Sequence, residues 1–171
     1  ETQFDNAVSD IVTALIDGFV ETGRAELRRD FAGPIAVQTM IVALGLAETP
    51  VKAVLGWYDS IVDAVTRVTA GEAVSADGQA AFTALRASLL PSLQHDPAAN
   101  LLAAASGLAN GLSEDQVVSN AAVLLFGGIE TTEGMIANAL YHLFTNPEVL
   151  EQVRQNADLV PATIEESLRL E

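Results

Sequence analysis

From Ser113 to Thr145 the chain runs for 33 residues without a proline and with only four charged side chains, Glu114, Asp115, Glu130 and Glu133. Ser113-Glu114-Asp115-Gln116 has the form of a capping box, a hydroxyl at the cap with an amide three residues on. A helix started there and closed by Asn146-Pro147 is about 50 Å long at ~1.5 Å per residue, which is the width of a domain. Two of its four charges fall in the first turn, so the rest is apolar nearly all round and is expected to be surrounded by protein on most sides. In its middle lies Gly127-Gly128-Ile129-Glu130-Thr131-Thr132. Each glycine costs a helix interior roughly 1 kcal/mol relative to alanine. What glycine offers in exchange is close approach of another group to the backbone. Thr131 can turn its hydroxyl to the carbonyl of Gly127, four residues earlier, and loosen the ladder. A glycine pair, an acid and two hydroxyls at one point of a buried helix suggest a bent segment facing a ligand, with Glu130 and Thr131 able to pass protons. The competing reading is close helix packing at the glycines and a solvent-facing glutamate.

The rest of the chain reads as helices that pack around this one. Phe4, Val8, Ile11, Val12, Leu15, Ile16 and Phe19 recur at three and four and make one apolar face, which Gly23 ends. The segment Arg24 to Asp30 is short and basic, and Phe31 to Leu46 is apolar nearly all round, with Pro34 as first helical residue and Gly45 at the end. Behind Glu48-Thr49-Pro50 a broad stripe runs from Val51 to Val68, and Trp57 beside it is expected to pack rather than bind. Thr69 to Gly78 reads as a loop long enough to be mobile. Gln79 to about Leu93 follows as a helix ended near Pro91, then the polar connection His95-Asp96-Pro97 and a short alanine-rich helix from Ala98 to Ala109. Glu148 to about Gln155 and a last helix from Val160-Pro161 complete an all-α chain, without an alternating strand.

Charge and cysteine narrow the function. With 23 acidic against 8 basic residues the net charge is −15, a surface that repels phosphate backbones and anionic lipid. Nucleic acid and membranes are therefore poor partners. The absence of cysteine removes disulfides, thiolate catalysis and cysteine-ligated metal from these residues. No charged n-region precedes an apolar segment at the N-terminus, and the run Val117 to Ile129 is shorter than the ~20 residues of a spanning helix. The expectation is a cytoplasmic protein.

Glu166 and Arg169 share a face three residues apart, a common and weak pairing when taken alone. Placed 36 residues after Glu130, however, Glu166-Ser167-Leu168-Arg169 follows Gly127-Gly128-Ile129-Glu130-Thr131-Thr132 in the order and separation of two motifs of one family. The pair resembles the I-helix and K-helix motifs of bacterial cytochrome P-450, the haem-thiolate monooxygenases. Asn146-Pro147-Glu148 resembles that family's J-helix start, and the earlier helices fall in the order of its D to H helices.

The resemblance implies the helical part of the cytochrome P-450 fold, about eight helices around one long central helix. It implies heme b as cofactor, with Gly127 and Gly128 over the distal haem face and Thr131 among the cofactor-binding residues. Glu130 and Thr131 would relay protons for dioxygen activation. Val123 and Phe126 would line the pocket of a small hydrophobic substrate, and the loop from Thr69 to Gly78 would cover substrate access. Glu166 and Arg169 would be structural. Electrons would come from a ferredoxin or a reductase. Against the family pattern, the chain lacks the cysteine that ligates iron, and neither His95 nor His142 stands at a ligand position. The expectation is a single all-α fragment of a larger catalytic domain, inactive by itself, without a metal site of its own, not retaining haem, and prone to dimerise or swap through exposed apolar surface. Two alternatives remain open: a non-catalytic helical scaffold, and a small-molecule binding module without haem.

Overall fold

The computed structural model describes residues 2–46, 48–94, 101–108 and 113–170. Among these there are eight α-helices and no strand: α1 (Thr2–Val20), α2 (Gly33–Ala43), α3 (Val51–Thr69), α4 (Ala76–Leu89), α5 (Leu101–Leu108), α6 (Glu114–Thr145), α7 (Pro147–Gln155) and α8 (Val160–Arg169). A π-helical turn, Leu27–Ala32, leads directly into α2, and 3-10 turns at Leu90–Gln94 and Ala157–Leu159 follow α4 and precede α8. The all-α expectation therefore holds.

The local reasons are visible in the sequence. Ser113 caps α6, accepting from the Gln116 amide at 3.3 Å while the Gln116 side chain accepts from the Ser113 amide at 2.8 Å, so both arms of the capping box form. Gly45 closes the segment after α2 with φ +71°, a conformation open chiefly to glycine. In α3 the spacing Val54, Trp57, Tyr58, Ile61, Ala64 turns one stripe inward, and Trp57 packs against the core as expected. The outer residues of the predicted stripe, Val65 and Val68, are exposed.

One expectation changes. The connection predicted from Thr69 to Gly78 is shorter, because Ser75 accepts from the Gly78 amide at 3.1 Å and starts α4 at Ala76. Gly78 is thus a buried helix residue. A Cβ there would stand 2.4 Å from the Cβ of Ala64 and 3.1 Å from Ser75 Oγ, so glycine is what lets α4 lie against α3. His95 and the start of the predicted Ala98 to Ala109 helix lie outside the described residues.

The core gathers Leu44, Val54, Leu85, Leu89, Val118 and Leu125, all fully buried, where α2, α3 and α4 meet the first half of α6. Here the long helix departs from expectation. Its buried residues are Val117, Val118, Ala121, Ala122, Leu125 and Ile129, all on one side and none beyond the midpoint. The other side is open, with Val123 at 69% exposure and Leu124, Met135, Tyr141 and Phe144 exposed as well. The apolar all-round composition is real, but the described elements cover only one face of it. No helix among the described residues is long and apolar enough to cross a membrane.

Candidate functional site

The exposed side of α6 and the notch beside it hold Val123, Gly127, Glu130 and Thr131 of the residues that the sequence singles out. At 3.6 residues per turn, Val123, Gly127 and Thr131 follow one another along one line of the helix. Thr131 Oγ1 donates to the carbonyl of Gly127, as its position four residues on requires. Around Gly127 the space is open: beyond its chain neighbours and the backbone of its own helix turn, no atom lies within 4 Å of where a Cβ would be. The result is a strip of bare helix backbone flanked by Val123, Leu124 and Met135.

The two glycines do different things. At Gly128 a Cβ would stand 2.4 Å from the sulfur of Met40, so that glycine accommodates the crossing of α6 over α2. It is a packing glycine, whereas no other element packs on Gly127. Phe126 likewise turns toward the body of the protein, its ring 5.3 Å from that of Tyr58 in α3. The sequence-derived set therefore divides into Val123, Gly127 and Thr131 on the open strip, and Phe126 and Gly128 on packed faces.

Glu130 stands at the border. Neighbouring residues of a helix point about 100° apart. While Thr131 faces the strip, Glu130 lines a cavity of about 610 Å³ between α6, α3, α2 and the π-helical turn. Arg28 of that turn reaches over to Glu133, Nε to Oε1 2.5 Å. Its guanidinium pKa is raised by the hydrogen bond to Glu133 and then by that carboxylate's charge. The turn is fixed by Glu26, which accepts from the Arg28 and Arg29 amides at 3.2 and 2.8 Å while its own amide donates to Asp30 Oδ2 at 2.8 Å. Tyr58 has its pKa raised, first by burial and next by the charge of Glu130, with Asp59 and Glu133 adding to it. Neither Arg28 nor Tyr58 was legible as a site residue, since 105 residues separate Arg28 from its acid and Tyr58 fits an ordinary core stripe.

At the far end, Arg169 makes a two-pronged contact with Glu166, Nε to Oε2 2.8 Å and Nη2 to Oε1 2.6 Å. The hydrogen bond from Arg169 holds the Glu166 carboxyl below its usual range. The pair's small contribution is thus present above the ordinary carboxylate range and is lost as pH falls through the lowered value. Both side chains are more than half exposed, at 67% and 57%, which keeps that contribution slight.

A helical array laid around one long helix with a glycine-threonine strip defines the class. The family model for cytochrome P450 matches residues 79–171. The chain belongs to the cytochrome P450 family. It is 29% identical over 98% of its length to cytochrome P450 109 of Bacillus spizizenii, covering 43% of that protein. To a steroid C26-monooxygenase of Mycobacterium tuberculosis it is 26% identical over 95% of its length, covering 45%. The solved structure of cytochrome P450 260B1 of Sorangium cellulosum So Ce56 superposes with a TM-score of 0.83 at 27% identity, over 96% of this chain and 43% of that one. The chain thus spans well under half the length of these relatives.

The family implies haem in the intact enzyme. A flat apolar ring needs an apolar surface with room against the backbone, and the open side of α6 at Gly127, with Val123, Leu124 and Met135 exposed on it, has that character. The iron's thiolate is not among the residues present, since the chain has no cysteine. Nor does any group of three or more His, Asp or Glu that could hold a metal occur among the described residues.

Proposed function

We propose that this chain is the helical part of a haem-dependent monooxygenase that activates dioxygen and hydroxylates a small organic substrate, with Glu130 and Thr131 relaying protons. The observation that carries this reading is the empty space over Gly127, beside Thr131 and an apolar strip on the open side of α6. When bound, haem supplies the iron at which dioxygen is activated. The rest is the work of side chains. Val123, Leu124 and Met135 exclude water from one side of the ring, and the bare backbone at Gly127 leaves room above it. Thr131 has one proton and two lone pairs on Oγ1. While it donates to the Gly127 carbonyl, Oγ1 can accept a hydrogen bond from the Glu130 side, and a proton passes to it only as its own passes on. When it rotates off that carbonyl it can donate toward the strip. Glu130 faces the cavity that Arg28, Tyr58 and Glu133 also line, and Thr131 faces the apolar strip. Side by side they connect the cavity on one side of α6 to the apolar strip on the other.

In the same reading the substrate is small and hydrophobic and meets Val123, and a ferredoxin or reductase supplies electrons. The protein is cytoplasmic, and these residues are one all-α part of a single larger catalytic domain. By themselves, lacking the thiolate, they neither retain haem nor turn over. Reduction of the full-length protein under carbon monoxide tests this. The expected result is the shifted Soret band of a thiolate-ligated haem, and an unshifted or absent band overturns the reading. A second reading is favoured by the exposed row Val123, Leu124, Met135, Tyr141 and Phe144: where nothing else covers it, two copies of the 171-residue chain pair or swap across it. Sedimentation of that chain is then expected to give a mass that rises with concentration, and a constant monomer mass refutes pairing.

A further inference from the structure

Helix α6 is softened at its middle. Two adjacent glycines lie there, and the Thr131 hydroxyl takes up the Gly127 carbonyl, which loosens the ladder at that turn. Neighbouring residues of a helix point about 100° apart, so a rotation of this segment redirects Glu130 and Thr131 together. Contacts from α2 and the π-helical turn before it oppose such a rotation, and they form a reciprocal pair. At the first, α6 supplies the glycine and α2 the long side chain. A Cβ at Gly128 would stand 2.4 Å from the Met40 sulfur and 3.0 Å from both its Cγ and its Cε, so the thioether lies across bare backbone. At the second the roles reverse. Glu133 of α6 lies over Gly33 of α2, where a Cβ would stand 3.4 Å from Glu133 Oε2 and 3.2 Å from the Arg28 carbonyl oxygen, and Arg28 holds the same carboxylate. Because residue 40 meets 128 while residue 33 meets 133, the two helices run antiparallel, with buried Val37 and Ile129 between the contacts. Gly128 and Glu133 are about 7.5 Å apart along the axis, and Glu130 and Thr131 fall between them. The two contacts differ in strength. Met40 is packed against the core from an uncharged helix, and its unbranched thioether suits an irregular gap. Arg28 is 65% exposed, and an ion pair so placed contributes little.

We propose that Met40 is a positioning residue for the relay: its thioether, seated on Gly128, sets the rotation of α6 and with it the directions of Glu130 and Thr131, while the Arg28–Glu133 pair steadies the other end. The proposal rests on the reading of Glu130 and Thr131 as a proton relay. It adds that α2, which carries no relay residue, controls the aim of both. It also gives Gly128 a task apart from that of Gly127.

Two measurements on the full-length protein separate the seat from its use. The first is urea denaturation of Gly128→Ala, Met40→Ala and the double variant, followed by circular dichroism. Alanine is the better helix former, so in the Met40→Ala background Gly128→Ala is expected to raise the midpoint. With Met40 present it is expected to lower the midpoint, because the added methyl group and the sulfur claim the same space. An equal shift from Gly128→Ala in both backgrounds overturns the seat. The second is dioxygen consumption by the haem-loaded protein at a temperature where every variant is folded, driven by a surrogate ferredoxin and its reductase, with and without 7-ethoxycoumarin as probe. Gly128→Ala is expected to lower kcat roughly tenfold, the cost of a misplacement short of one ångström, with a larger solvent deuterium isotope effect and unchanged KM for the ferredoxin. In the double variant the methyl group stands where the sulfur stood, and part of that loss is expected to return. Arg28→Gln is expected to cost no more than about threefold. Unchanged kcat and isotope effect in both single variants, or a double variant no faster than either, overturns the positioning role. If Glu130→Gln and Thr131→Val also leave kcat and isotope effect unchanged, the relay reading itself has failed and the seat stands as packing alone.

Discussion

Leu125→Ala is expected to lower folding stability by about 2–5 kcal/mol, the cost of truncating a fully buried leucine in a core that collapses only partly. Leu125 is 0% exposed and sits where α2, α3 and α4 close on α6. Its loss opens a void in the core shared by these elements. The adjacent residue provides the control. Leu124 is 52% exposed on the strip side, so Leu124→Ala is expected to stay within about 0.5 kcal/mol of the parent. Urea denaturation reads both: the Leu125 variant is expected to shift the midpoint with an unchanged slope. Equal effects for the two leucines would mean that α6 does not present one covered and one open side.

Glu130→Gln is expected to reduce turnover of the haem-loaded, full-length protein by roughly 100-fold or more, the usual worth of a positioned proton-transfer group. The substitution keeps size and polarity at an exposed position, so the fold is expected to be unaffected. Glu133→Gln tests whether any nearby acid would serve. Glu133 is held by Arg28 at 2.5 Å and faces away from Thr131, so its loss is expected to affect turnover far less. Steady-state dioxygen consumption by the two variants ranks the acids, and comparable losses would refute a specific role for Glu130.

The sequence disclosed what is encoded locally. The cap at Ser113, the turn at Gly45, the inward stripe of α3 and the Thr131 hydroxyl on the Gly127 carbonyl all follow from residues a few positions apart. Contacts between distant segments leave no such pattern. The division of labour between Gly127 and Gly128 depends on Met40, far away in sequence, and could not be told from the dipeptide. Gly78 read as a loop glycine because its reason, Ala64 of α3 pressed against it, lies outside its own helix. The same holds for the Arg28–Glu133 pair, whose partners lie 105 residues apart. An apolar helix was legible too, yet composition cannot say which of its faces the neighbouring helices cover.

Carbon monoxide affinity of the reduced, haem-loaded Gly127→Val protein tests most directly whether the open strip of α6 is the distal wall of the haem. Beyond the chain neighbours and the backbone of its own helix turn, no atom lies within 4 Å of the added Cβ, so the substitution meets no other element and gains helix propensity. If the haem lies against this strip, the new methyl groups enter the space above it, and carbon monoxide is expected to bind roughly tenfold more weakly, the effect of crowding a filled site by one or two methyls. Unchanged affinity in a stably folded Gly127→Val protein would contradict the account.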